Sequence, residues 1–104
     1  MAHTVSVVNR DAAGSRHRAF LDITGPASYT TGGEPLTPGQ LGLGGVDFFP
    51  SQVVMDSTHT TLKVVIYDIA TSKLLWFVES TGAEVAGAVD LSDFTFRVLV
   101  HGKG

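Results

Sequence analysis

The sequence has no cysteine, so disulfide scaffolds, thiol nucleophiles and thiolate metal sites are excluded, and the fold must hold without covalent staples. Charge is scarce as well. Only 16% of residues are Asp, Glu, Lys or Arg, the net charge is −3, and of the seven basic residues only Arg16 and Arg18 cluster, around His17. That leaves no electrostatic footprint for a phosphate backbone, and nucleic-acid binding is not expected. Long apolar runs are missing too: nowhere do 18 apolar residues follow one another, and the opening MAHTVSVVNRD lacks a basic stretch ahead of an apolar one. Neither a membrane-spanning helix nor a signal peptide is therefore expected. No repeat or linker divides the 104 residues, a length that suits one domain. The expected organisation is a single β-rich unit over 1–104, with 1–10 as a candidate extended arm.

Motifs that carry chemistry are equally sparse. His3, His17, His59 and His101 stand far apart in no metal-ligand spacing, and only a strand pairing would bring His17 near His101. There is no G-x-S-x-G elbow. The pairs Gly32-Gly33 and Gly44-Gly45 lack the lysine and the following helix of a phosphate loop. Asp47, Asp56, Asp68, Glu79 and Asp93 are candidates for a carboxylate pair, yet Asp56 and Asp93 lie beside turn or helix-start signals, where carboxylates cap backbone donors. No catalytic, cofactor-binding or metal-binding residue is assigned, and no enzyme is expected.

What the chain does have is apolar content. Hydrophobic residues make up 43% of it and the mean hydropathy is +0.21, too apolar for disorder and poor in charge for a free monomer, so part of the apolar surface is expected to meet a partner. Residues 16–24 alternate, with His17, Ala19, Leu21 and Ile23 on one face, and residues 95–101 alternate around Phe96, Val98 and Val100; both read as half-buried strands. Residues 4–8 read as a strand or arm, and 9–15 as a turn. Residues 46–49 form a short strand stopped by Pro50, and 53–56 a second piece, placing an edge strand or a bend between two sheets here.

Residues 61–69 and 73–79 read as a hairpin around a loop of Ala70, Thr71 and Ser72, which sets Tyr67 opposite Leu75, Ile66 opposite Trp76 and Val65 opposite Phe77. Both faces of this hairpin are apolar, as in a strand pair central to a sandwich or covered by another subunit. The expected fold is all-β, a small antiparallel β-sandwich or barrel with single-turn helices near 37–41 and 91–94 and a long Gly/Pro loop; a small α+β domain is the alternative.

Residues 29–43 are the most tightly specified stretch. Gly32 and Gly33 tolerate positive φ, and Pro35 and Pro38 fix φ. Thr37 is an N-cap with Pro38 at the first helical position, Gln40 completes a capping box, Leu36 and Leu41 form a hydrophobic staple, and Gly42 permits a left-handed end. The run Ser28, Tyr29, Thr31, Gly32, Gly33, Glu34, Pro35, Leu36, Thr37, Pro38, Leu41, Gly42 and Leu43, in the pattern S-Y-x-T-G-G-E-P-L-T-P-x-x-L-G-L, resembles a family of small tailed-bacteriophage virion proteins that includes head decoration or cement proteins. The likeness extends loosely over residues 14–102.

The resemblance implies adhesion and not turnover: a cement protein assembled in the host cytoplasm onto the virion capsid surface, where it binds and stabilises the major capsid protein, without cofactor or membrane. A homo-oligomer is expected, a trimer first, because shells offer threefold sites. The residues expected to meet a partner are Tyr29, Thr31, Gly32, Gly33, Glu34, Pro35 and Leu36 on the loop, then Phe48 and Phe49 as aromatic anchors. Glu34 is expected to be exposed and able to pair with an arginine, and residues 4–8 to act as a strand-adding arm. The alternative is a tail, neck or fibre-associated adaptor or a carbohydrate-binding module.

Overall fold

Two alternating strands build the first sheet. In a computed structural model that describes residues 3–13 and 16–103, β2 (Arg16–Thr24) and β8 (Thr95–Lys103) pair antiparallel with Ala19 opposite Val100, Leu21 opposite Val98 and Ile23 opposite Phe96. All six side chains are buried, as their spacing predicts. β1 (Thr4–Ala13) flanks β2 on one side and β4 (Gly45–Phe48) flanks the far end of β8, giving the order β1-β2-β8-β4. β8 runs on to Lys103 because Gly102, opposite Val46, lets the strands approach where the Gly45 carbonyl would meet any Cβ.

The turn expected at 9–15 is narrower than its composition suggests. After a bulge between Val7 and Asn9, β1 stays paired with β2 as far as Ala13 opposite Arg16, so ladder hydrogen bonds override the turn preference of Asn and Asp. Residues 14–15 lie outside the described residues, as do Met1 and Ala2. Thr4 to Val7 are paired with β2, and among the described residues the opposite edge of β1 has no neighbouring strand.

The second sheet has the order β3-β7-β6-β5, from β3 (Glu34–Pro35), β5 (Gln52–Met55), β6 (Leu62–Asp68) and β7 (Lys73–Val78). Its hairpin differs by one residue from the expected register: Tyr67 faces Leu74, Ile66 faces Leu75 and Val65 faces Trp76. The connection is residues 69–72, with Ser72 in the left-handed region (φ 56°) and Asp68 Oδ1 accepting from Ala70 N at 3.0 Å. A slip of one residue exchanges the faces of one strand against the other. Val65, Tyr67, Leu74 and Trp76 share the inner face and are buried, while Val64, Ile66, Leu75 and Phe77 share the outer one.

The two four-stranded antiparallel sheets pack as a sandwich. Pro50 falls between β4 of one sheet and β5 of the other, so the chain changes sheets where proline prevents continued pairing. The capped segment forms one 3-10 turn, Pro38–Leu41. Residues 91–94 form a turn closed by Phe94 N to Leu91 O (3.0 Å), not a second helix. Asp90 takes Ser92 N and Oγ at 2.9 and 2.6 Å, a side-chain turn that competes with helical hydrogen bonding.

Candidate docking surface

The Gly/Pro loop is organised by its caps. Thr37 Oγ1 accepts from Gln40 N, Gln40 Oε1 accepts from Thr37 N at 2.9 Å, and Gly42 closes the turn at φ 75°. Leu36 and Leu41, the expected staple, are both fully buried. The preceding residues lace the outer edge of β7. Tyr29 Oη accepts from Trp76 N (3.2 Å) and donates to Glu84 Oε2 (2.7 Å), which also accepts from Gly32 N (2.7 Å). Leu36 N donates to Ser72 O, Val78 N to Ala83 O and Val85 N to Trp76 O. Burial, reinforced by Glu84 and Glu34, pushes the Tyr29 phenol far up, so it stays a neutral donor.

The residues expected to meet a partner therefore separate. Tyr29, Leu36 and Phe49 are buried, Phe49 stacked on Tyr67 with ring centroids 4.8 Å apart. Gly33 is buried against Lys73, while Thr31, Gly32, Pro35 and Phe48 are exposed. Glu34 corrects its expected exposure: it is 5% exposed, because pairing opposite Leu74 in β3 turns it to the inner side, where its Oε2 accepts from Thr30 N at 3.2 Å. Near it, His3 is also buried, and its Nε2 accepts from Trp76 Nε1 at 3.0 Å. An in-plane indole donor and rings inclined by 13° place the two edge to edge. Desolvation lowers the His3 pKa to about 4, against the opposing pull of the Pro35 backbone and the Glu34 charge.

The outer faces of the two sheets differ in continuity: the first exposes Phe20 (43%), opposite Leu99, but sets polar pairs beside it. On the first, Thr24 Oγ1 bonds Thr95 Oγ1 (2.9 Å), and Asp22 holds Arg97 by two bonds of 2.9 and 3.1 Å. That guanidinium keeps the Asp22 carboxyl below its usual range. On the second, β5 presents Val53 (60% exposed) and Met55 (49%), β6 presents Val64 and Ile66 (43%), and β7 presents Leu75 and Phe77. No polar side chain interrupts these positions. Charged residues lie at the margins: Asp68 and Lys73 at the hairpin loop, and Glu79 beyond Phe77. Val53 and Met55 also wall a groove of about 510 Å³ that contains Asp56 and Asp93. Grouped exposure of this kind on one sheet face marks an interaction surface more strongly than scattered apolar residues do.

Of the carboxylates considered for a catalytic pair, Asp56, Asp68 and Asp93 accept backbone hydrogen bonds at turns. Desolvation raises the Asp56 pKa, but hydrogen bonds from Thr60 N, Thr61 N and two threonine hydroxyls prevail and keep it low. Asp93 Oδ2 accepts from Ser57 N at 3.3 Å. The register sets His17 opposite Gly102 and His101 opposite Arg18, and both histidines line a cavity of about 350 Å³ with Asp47 and Phe48. Among the described residues no three His, Asp or Glu side chains converge as a metal site would require. Comparison with protein-family models, curated proteins and solved structures returns no match.

Two organising residues, Glu84 and His3, carry no sequence signal for their roles. Glu84 sits in a loop of small residues, and His3 lies 73 positions from the tryptophan it meets.

Proposed function

We propose that this chain is a structural, adhesive protein of a tailed-bacteriophage particle, a head decoration or cement protein that binds the major capsid protein shell. The observation that carries the reading is the apolar outer face of β5, β6 and β7, which belongs to a protein designed to be covered. The run of residues 28–43 supports the family. The sandwich supplies a stiff platform, since the loop that completes the family pattern is used to sew the edge of β7 and not left free. Each contact with a shell can be weak because many copies act on one symmetric lattice, and a trimer around a threefold would be held by the shell beneath it.

The test is the copy number of this protein in purified particles, measured by quantitative mass spectrometry against the major capsid protein. A simple lattice fraction is expected; a ratio far below it overturns the shell assignment and moves the protein to a tail, neck or fibre. One observation favours that second reading as a carbohydrate-facing module: Phe48, 56% exposed, tilts against His101 beside Asp47 and His17, an aromatic platform with polar neighbours. Glycan-array binding that Phe48→Ala abolishes would establish it.

A further inference from the structure

We propose that the outer face of β5, β6 and β7 accepts an apolar patch bordered by lysine or arginine on a different protein, and not a second copy of this chain. Identifying that protein with a capsid shell rests on the adhesive reading above; the chemistry of the face does not.

The margins of the face are acidic. Asp68 stands at one end of the patch, Glu79 at the other, and Asp56 and Asp93 lie in the groove that Val53 and Met55 share. Among the described residues Lys73 is the cation of this face. Lys63 is directed to the inner side, its Nζ 5.2 Å from the centroid of the Phe94 ring. Lys73, directly across the ladder from Asp68, offsets that carboxylate, so the excess acid is Glu79 with Asp56 and Asp93; two copies face to face would double that excess while water is withdrawn, which strengthens the repulsion. A basic border on the partner turns the same carboxylates into attractive and orienting contacts.

The face is also small. Three strands at β-sheet spacing and six or seven residues of rise give the face a footprint of roughly 300 Å². Self-association would then remove roughly 600 Å² in all, about half of what the smaller stable interfaces bury. A contact of this size holds when it is repeated on a lattice or aided by charge, and not as an isolated dimer.

The experiment uses the whole chain with two probes, an extended peptide alternating leucine with lysine and its leucine–glutamate counterpart, followed by amide chemical-shift mapping. Shifts centred on Val53, Ile66 and Phe77 are expected with the lysine peptide alone. Ile66→Asp or Val53→Asp should weaken that binding by about tenfold or more, and Phe20→Asp on the opposite sheet should not. Dispersed amide spectra for both face variants guard against misfolding, and Val53, the more exposed, is the safer site. Equal binding of the two peptides, shifts centred elsewhere, or a dimer in sedimentation equilibrium that Ile66→Asp dissociates would each overturn the proposal. The same variants are then added to purified shells that lack this protein. Shell binding unaffected by Ile66→Asp also overturns it, whereas failure of the wild type to bind shells overturns only the adhesive reading.

Discussion

Trp76 is held from several directions: His3 Nε2 at its indole nitrogen, the Tyr29 hydroxyl at its backbone nitrogen, and the edges of Phe94 and Phe96 at ring-centroid distances of 6.0 and 5.9 Å. Tyr29→Phe would leave the buried Trp76 N–H without its acceptor, and we expect a loss of about 1–3 kcal/mol in urea denaturation. His3 makes stability depend on pH. Its folded pKa, about 4, lies below the ordinary histidine value of 6.5, so the unfolded chain binds the extra proton between these values. The stabilisation is complete above about 6.5 and is lost as pH falls towards 4, a change of about 3 kcal/mol. His3→Gln retains an acceptor for Trp76 but does not titrate, so its denaturation midpoint should vary much less over that window; an unchanged slope would place the titration elsewhere.

At the scale of elements, the 3-10 turn and the strand crossings depend on small residues at defined places. Thr37→Ala removes the N-cap and should cost about 1 kcal/mol. Gly33 has φ 113°, and a Cβ there would stand 2.9 Å from Lys73 Cβ, whereas Gly32, at φ 94°, has open space around it. Gly33→Val should therefore lower the thermal midpoint more than Gly32→Val, a comparison that differential scanning calorimetry can make. The capped turn was legible because all its determinants lie within a few residues of one another. The hairpin register was not: Ser72 adopts a positive φ that its residue type does not announce, and the resulting extra loop residue reverses which side chains of β7 share a face with β6. Phe48 and Phe49 show the same distinction, since adjacent residues at a strand end point to opposite sides, and only packing against Tyr67 decides that Phe49 is the buried one.

For the whole molecule, the outer face of the first sheet mixes paired polar residues with the exposed Phe20, while that of the second is continuously apolar and bordered by acid. Ile66→Lys should raise solubility in ammonium sulfate precipitation and change folding stability by no more than about 0.5 kcal/mol, because the side chain leaves no core cavity. A large destabilisation would mean that the outer face contributes to folding and is not reserved for a partner.

Alternation in β2 and β8, the capped turn after Leu36 and the sheet change at Pro50 were determined by the sequence itself, because each depends on side-chain period or local backbone chemistry. The tertiary structure alone decided that Glu34 turns inward, that His3 closes on Trp76, that Glu84 secures Tyr29, and that the outer face of the hairpin stays uncovered by the described residues. Those outcomes depend on which distant surfaces meet when two sheets pack, and local pattern does not encode that meeting.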